Sequence, residues 1–316
     1  MKKIGYALVL LAAACSPGET AESTTSSPST SITSTSTTEA TTTTTPTTTT
    51  TAAPGPTTTA AATTTTLLAG DWADQALITT EFGALGWWNG ADWLDAETEG
   101  GLPVVGGEDY QTILGSSLGM TTAGPQTTVC EPLGLIGVEL ADPDLLGEFP
   151  GPYGVAISAP YDLQPYLYDD GATDDGTYAD FASGLLASRG LVVDDPPIKQ
   201  LVRTDLEGDG VNEVLVVAEE VTTGFLMQPG DYSILFMRKV IEGEVQTAVL
   251  GVTVALDEDD QFLGAHSVGT VADLNGDGKM EIITNSAFFE GFSVAVWEYV
   301  DDDLGPTLRL ERGCGS

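Results

Sequence analysis

The stretch Val271-Ala272-Asp273-Leu274-Asn275-Gly276-Asp277-Gly278-Lys279-Met280-Glu281-Ile282-Ile283 places an acidic, glycine-containing loop between two apolar runs. An earlier stretch repeats the pattern as Asp205-Leu206-Glu207-Gly208-Asp209-Gly210-Val211-Asn212-Glu213-Val214. In both, oxygen-bearing side chains stand at positions 1, 3, 5 and 9, and glycine stands at positions 4 and 6. The glycines permit a sharp turn, which lets these oxygens approach one point. The repeat therefore predicts a mainly β fold in which each loop joins two strands.

The spacing of the oxygens predicts calcium binding, because Ca²⁺ takes six to eight oxygen ligands. A backbone carbonyl at position 7 and water would complete each set. An EF-hand is excluded, since it needs Glu at position 12 and these loops have Val216 and Thr284 there. The alternative is an Asp/Gly turn that only caps two strands. The predicted ligands are Asp205, Glu207, Asp209, Val211 and Glu213 in the first loop, and Asp273, Asn275, Asp277, Lys279 and Glu281 in the second.

With their flanking strands, the loops resemble the FG-GAP/VCBS repeat family, in which such a loop joins two strands of a β-propeller blade. The best match starts at Ser267, and the likeness covers roughly Ile198 to Arg312, as two blade-like units within 197–316. It implies calcium-binding roles for the side chains at positions 1, 3, 5 and 9. The chain departs from the family at Glu207, which is bulky for position 3, and by having Glu at position 9 of both loops.

The segment 69–196 is predicted to be a further β-rich part. Asn89-Gly90, inside Leu85–Leu94, predicts a hairpin with a two-residue turn. Two blades do not close a propeller, so hairpins before Pro150 would supply the others, giving an irregular propeller of about five blades. An inserted helix is predicted over 177–189 from one apolar stripe: Tyr178, Phe181, Leu185 and Leu186. Further strands are predicted at Tyr110–Leu114, Thr128–Cys130, Val155–Ser158, Val214–Ala218, Ser233–Val240, Val245–Val254, Ser267–Ala272, Glu281–Asn285, Ser293–Val300 and Thr307–Leu310.

The first fifteen residues have the form of a bacterial export signal. Lys2 and Lys3 precede an apolar run that ends in three alanines directly before Cys15. This ending resembles a lipobox, which implies that Cys15 carries lipid and becomes the mature N-terminus. Ala12 stands where the lipobox usually has Leu, so cleavage after Ala14 is the alternative. Either way the chain is predicted to be exported, and with the lipid it is anchored on the outer side of the cytoplasmic membrane or at the cell surface.

The segment 16–68 is nearly all Thr, Ser, Ala and Pro, and it is predicted to be a disordered tether. The chain has three cysteines. If Cys15 carries lipid, Cys130 and Cys314 remain as a possible disulfide pair.

The charge of the chain excludes one class of partner. Asp and Glu number 47 against 10 Lys and Arg, for a formal net charge of −37. Nucleic-acid binding needs clustered basic residues, and direct docking on anionic lipid needs them too. The membrane is therefore expected to be reached only through the N-terminal lipid.

Catalytic patterns are weak. Gly115-Ser116-Ser117-Leu118-Gly119 matches G-x-S-x-G but lacks a helical pattern after it, and His266 is the only histidine. Trp87, Trp88 and Trp93 fit hairpin core packing better than a sugar platform. The first hypothesis is a non-enzymatic, calcium-binding surface lipoprotein that contacts an envelope protein or glycan. The alternatives are a surface hydrolase acting on glycans, with structural calcium, and a purely structural envelope component.

Overall fold

The computed structural model describes residues 75–115, 117–131, 133–147, 153–166, 176–222, 226–289, 291–299 and 305–315. The predicted signal, Cys15 and tether lie outside these ranges. The described strands are β1 (Ala76–Thr80), β2 (Gly83–Trp88), β3 (Trp93–Asp95), β4 (Asp109–Leu114), β5 (Ser117–Val129), β6 (Leu135–Leu140), β7 (Val155–Ile157), β8 (Ile198–Thr204), β9 (Glu213–Glu220), β10 (Tyr232–Ile241), β11 (Glu244–Val254), β12 (Ala265–Ala272), β13 (Glu281–Phe288), β14 (Gly291–Glu298) and β15 (Thr307–Gly315). The helices are α1 (Ala96–Glu99) and α2 (Gly176–Ser188), with 3₁₀ turns at Pro143–Leu146 and Glu258–Asp260. Within these ranges, neither helix is long and apolar enough to cross a membrane.

Strands β1 to β7 form one curled, seven-stranded sheet in the order β3-β2-β1-β7-β4-β5-β6, and its pairings are antiparallel. Ile78 and Ile113 point from it into a core shared with β14 and β15, while Leu77 and Tyr110 fill the opposite side. Because both faces of β1 are covered, its five residues are all buried.

Strands β8 to β11 and β12 to β15 form two four-stranded antiparallel sheets, each in simple sequential order. Val202 and Leu235 of one sheet pack in the same cluster as Val271 and Ile282 of the other. Helix α2 covers the outer face of β9 and β10. The predicted helix over 177–189 is thus confirmed, and it packs on a sheet.

The mostly β fold is confirmed, and the two C-terminal sheets have the size of propeller blades. The strands before Pro150 do not form further four-stranded blades. Strand β7 pairs with both β1 and β4, which joins the early hairpins into one sheet. A closed propeller therefore stays a prediction.

The hairpin predicted within Leu85–Leu94 is confirmed, but its two-residue turn is wrong. Trp88 pairs with Trp93, so the loop is four residues long. The Asn89 side-chain oxygen accepts from the amides of Ala91 and Asp92 at 2.9 and 2.8 Å. This side-chain cap satisfies the amides of a wider loop, and the sequence motif alone does not reveal it.

The last strand is fastened to the first sheet at two places. A disulfide joins Cys130, just after β5, to Cys314 in β15, with the Cα atoms 6.0 Å apart. The buried Arg312 side chain donates to the Ala84 carbonyl and forms ion pairs with Asp95 and Glu97. These contacts hold the sheet of β12 to β15 against the seven-stranded sheet.

Candidate calcium loops

The two acidic loops join the first and second strands of their sheets, at equivalent places. Asp205 and Asp273 organise them in the same way. In each, one carboxylate oxygen accepts from the amide of the glycine at position 4 at 2.7 Å. The other oxygen accepts from the glycine amide at position 6, at 2.7 Å in the first loop and 3.0 Å in the second. The four glycines have φ between 74° and 87°, a conformation that glycine adopts without strain.

The glutamate at position 9 fixes each loop to its sheet. Glu213 and Glu281 are each only 1% exposed. They accept from the amides of Leu206 and Leu274 at 2.9 and 2.6 Å, and both leucines are fully buried. The side chain at position 9 thus closes the loop back on position 2.

The loops lie next to each other. The Met280 amide donates to the Leu206 carbonyl at 2.8 Å, which joins the end of the second loop to the start of the first. The Tyr161 hydroxyl donates to the Leu274 carbonyl at 2.7 Å. A backbone hydrogen bond therefore joins the two loops, and the Tyr161 side chain also holds the second one.

Several acidic side chains lie in or beside the second loop, and some of them are shielded from water. Asp273 and Glu281 are buried, and Asn275 donates to Glu298 at 3.2 Å. Burial raises the pKa of Glu281 to about 9, and the nearby charges of Asp277, Glu298 and Asp273 add to the rise. Burial also raises the pKa of Asp273. A divalent cation would reverse these shifts, because it favours the charged carboxylates.

The first loop differs in its charge balance. Hydrogen bonds from the loop amides, led by that of Gly210, lower the pKa of Asp205. The Glu207 carboxylate forms an ion pair with Lys239 of β10, and the same ammonium contacts the Tyr299 hydroxyl. Burial alone lowers the pKa of Lys239, but these hydrogen bonds raise it above its ordinary value. A cation is thus already present beside this loop.

The predicted ligand residues all lie in the two loops, and their role as calcium ligands stays a prediction. Within the described ranges, no group of three or more His, Cys, Asp or Glu is arranged to hold a metal ion. The carboxylates at positions 1, 5 and 9 accept from loop amides instead. In the second loop, the carboxylate oxygens that accept these bonds each retain a further lone pair, so that donor set is chemically suited to Ca²⁺. In the first loop, Asp205 Oδ1 already accepts from the amides of Gly208 and Asp209.

The G-x-S-x-G match does not form a nucleophile elbow, in agreement with the missing helical pattern after it. Ser117 is the first residue of β5 and pairs with Leu114 of β4, so the motif joins two paired strands and not a strand and a helix. His266 lies in β12, where its Nε2 is 3.1 Å from the Thr253 hydroxyl. The motif therefore has neither the backbone shape nor the following helix that a nucleophile elbow requires.

The tryptophans of the first hairpin serve packing. Trp87 is 7% exposed and belongs to the core inside the curled sheet. Trp88 and Trp93 pack against the other core, with their ring centroids 5.3 Å apart. These contacts favour the core-packing interpretation over a sugar platform.

Two residues important for the loops, Lys239 and Glu298, were not identified from the sequence. The available signal was a lysine within the largely apolar strand Tyr232–Ile241, in a chain with only 10 basic residues. Burying such a residue requires a charged partner.

Comparison of the chain with protein-family models, with curated proteins and with solved structures gave no match. The likeness to FG-GAP/VCBS repeats rests on the two loops and their flanking strands, and it stays a prediction.

Proposed function

We propose that the chain is an exported lipoprotein whose β domain binds Ca²⁺ through the second loop and contacts a protein or glycan of the cell envelope. The observation that carries the calcium proposal is the burial of Asp273 and Glu281 beside Asp277 and Glu298. Buried carboxyl groups beside other acidic groups must take up either a proton or a cation; without a cation, burial keeps Glu281 protonated near neutral pH. Asp273, Asn275, Asp277 and Glu281 would hold the ion, with the Lys279 carbonyl.

The chemistry that calcium supplies here is structural. A bound ion would neutralise the loop carboxylates and fix the connection between β12 and β13. Leu274 of this loop belongs to the core that the seven-stranded sheet shares with β14 and β15. Stabilising the loop therefore also stabilises the sheet of β12 to β15. Extracellular calcium modules of this kind bind with a Kd of about 10⁻⁴ to 10⁻³ M.

Calcium should raise the thermal stability of the full chain. At 10 mM Ca²⁺ and a Kd of about 10⁻⁴ to 10⁻³ M, linkage predicts roughly 1.4–2.7 kcal/mol, or about 5 °C in Tm. Melting curves in 10 mM CaCl₂, 10 mM MgCl₂ and EDTA measure the effect. Asp277→Asn should remove most of the calcium-dependent shift in Tm, because Asp277 is a proposed ligand of the ion. Since Asp277 is exposed, its replacement leaves the core unchanged. An equal Tm in calcium and EDTA would contradict the proposal.

The lipid anchor rests on Cys15, outside the described residues. Metabolic labelling with an alkyne fatty acid should mark the parent chain and leave Cys15→Ser unlabelled and released from the membrane fraction. The double variant Cys130→Ser/Cys314→Ser should keep the label, which makes it the matched control for thiol loss. Labelled, membrane-bound Cys15→Ser would show that this cysteine carries no anchor.

A further inference from the structure

We infer that the first loop does not take a calcium ion, because the ammonium group of Lys239 supplies its positive charge from within the protein, so that the chain binds one Ca²⁺ and not two. This inference rests on the proposed calcium function of the second loop. It concerns a difference between two loops whose backbones are otherwise alike.

The backbones give no reason for the loops to differ. In both, the amides at positions 4 and 6 donate hydrogen bonds to the carboxylate at position 1. Both have a buried glutamate at position 9 that accepts from the amide at position 2. A difference in ion binding must therefore come from the side chains around them.

The decisive side chains are Lys239 and Glu298, which occupy equivalent positions in the third strands of the two sheets. Val214 of β9 pairs with Arg238 of β10, and Ile282 of β13 pairs with Trp297 of β14. The next residue along each third strand lies beside the loop glutamate at position 9. That residue is Lys239 in the first repeat and Glu298 in the second.

These two residues contact position 3 of their loops with opposite charges. Lys239 forms an ion pair with Glu207, and the two side chains are only 9% and 11% exposed. Tyr299 also encloses the Lys239 ammonium, both through its hydroxyl and through its ring, whose centroid is 4.4 Å away. In the second loop, Asn275 contacts the Glu298 carboxylate. The first loop thus has a buried ammonium group at position 3, whereas position 3 of the second loop contacts a carboxylate whose partner cation, Arg309, is partly exposed.

A calcium ion in the first loop would lie beside a buried ammonium group. Repulsion between two cations is strong where water is scarce. Moving Glu207 to the ion would also leave Lys239 buried without its carboxylate partner, which is unfavourable. In the second loop, a calcium ion would lie beside the carboxylates and the amide described above. Glu298 also pairs with Arg309 at 2.6 Å, but through the oxygen that does not contact Asn275, and the Arg309 side chain is 32% exposed, so water screens its charge.

The number of ions per chain tests this inference directly. Equilibrium dialysis of the full chain with ⁴⁵Ca²⁺ in 0.5 M NaCl measures it, since this salt screens diffuse binding to the acidic surface. We expect one ion for the parent chain. The matched variants Asp209→Asn and Asp277→Asn change position 5 of the two loops, and both aspartates are exposed. We expect one ion for the first variant and none for the second.

Removal of the Lys239 ammonium charge should allow the first loop to bind a calcium ion. Lys239→Gln keeps much of the side-chain length and a donor for Tyr299, and we expect it to bind two ions. Lys239→Arg keeps the charge and should still bind one. Near-ultraviolet circular dichroism verifies that each variant folds. If Lys239→Gln does not fold, the parent count and the Asp209→Asn count decide the question.

The outcomes separate this inference from the calcium proposal itself. Two ions in the parent, with one lost in Asp209→Asn, would overturn the inference and leave calcium binding by the second loop intact. A single ion that Asp209→Asn removes would also overturn it. No ion in the parent would contradict the calcium proposal. In that case an ion gained by Lys239→Gln would still support the inference, and no gain would overturn it.

Discussion

Replacing Cys130 and Cys314 together by serine should lower the free energy of unfolding by about 5 kcal/mol, because the bridge closes a loop of 184 residues. In the chain-entropy model the bond acts on the unfolded chain, whose freedom it restricts. Arg312 keeps its contacts with Ala84 and Asp95 in the variant, so the native position of β15 should persist. Urea unfolding of the folded variant and the parent, followed by tryptophan fluorescence, measures the difference.

The control for the disulfide variant is Cys15→Ser, which removes a thiol but leaves the bridge intact. Its unfolding midpoint should match that of the parent. Addition of a reductant should lower the midpoint of the parent to that of the double variant and leave the double variant unchanged. If the double variant and the parent unfold at the same urea concentration without reductant, the bridge does not restrain the unfolded chain.

The strands of the C-terminal half after β8 (Ile198–Thr204) were predictable because their sequences have simple patterns, whereas β8 itself was missed. The predicted strand Val245–Val254 corresponds to Glu244–Val254, and the predicted Ser267–Ala272 corresponds to Ala265–Ala272. Runs of β-branched and aromatic residues fit a sheet packed on both faces. Helix α2 was predictable for a similar reason, since its apolar residues repeat at helical spacing.

The order of the seven-stranded sheet was not predictable. Strand β7 has only three residues, Val155–Ile157, yet it lies between β1 and β4 and joins the two hairpins. A short apolar run indicates a strand but carries no information about its partners. Strand β1 was missed altogether, because Ala76–Thr80 is short and has no alternating pattern.

The candidate site likewise has one part that could be predicted from the sequence and one part that could not. The loop residues follow from spacing, since positions 1 to 9 are close in sequence. The charge beside each loop does not, because Lys239 and Glu298 reach position 3 from strands that are distant in sequence. Only the pairing of β10 with β9, and of β14 with β13, places them there. The difference between the loops is therefore a property of the tertiary structure.

Gly86→Ala should lower the free energy of unfolding by about 3 kcal/mol or more, because the added methyl group has no space. A Cβ atom at Gly86 would lie 2.1 Å from the Leu94 carbonyl oxygen and 2.7 Å from the Leu310 side chain. The oxygen belongs to the backbone of β3, so it cannot rotate away as a side chain could. Relief of the clash requires β2 to separate from β3 or from β15. Either movement opens the core that the seven-stranded sheet shares with β14 and β15.

Gly184→Ala in α2 is the matched control for Gly86→Ala. Apart from its chain neighbours and the backbone of its own helix, no atom lies within 4 Å of the added methyl group there, and alanine favours a helix by about 1 kcal/mol over glycine. Urea unfolding should therefore place the midpoint of Gly184→Ala at or above that of the parent and the midpoint of Gly86→Ala well below it. Equal midpoints for the two variants would mean that β2 and β3 are not packed as closely as described, and that the first hairpin can separate from β15 without loss of the core.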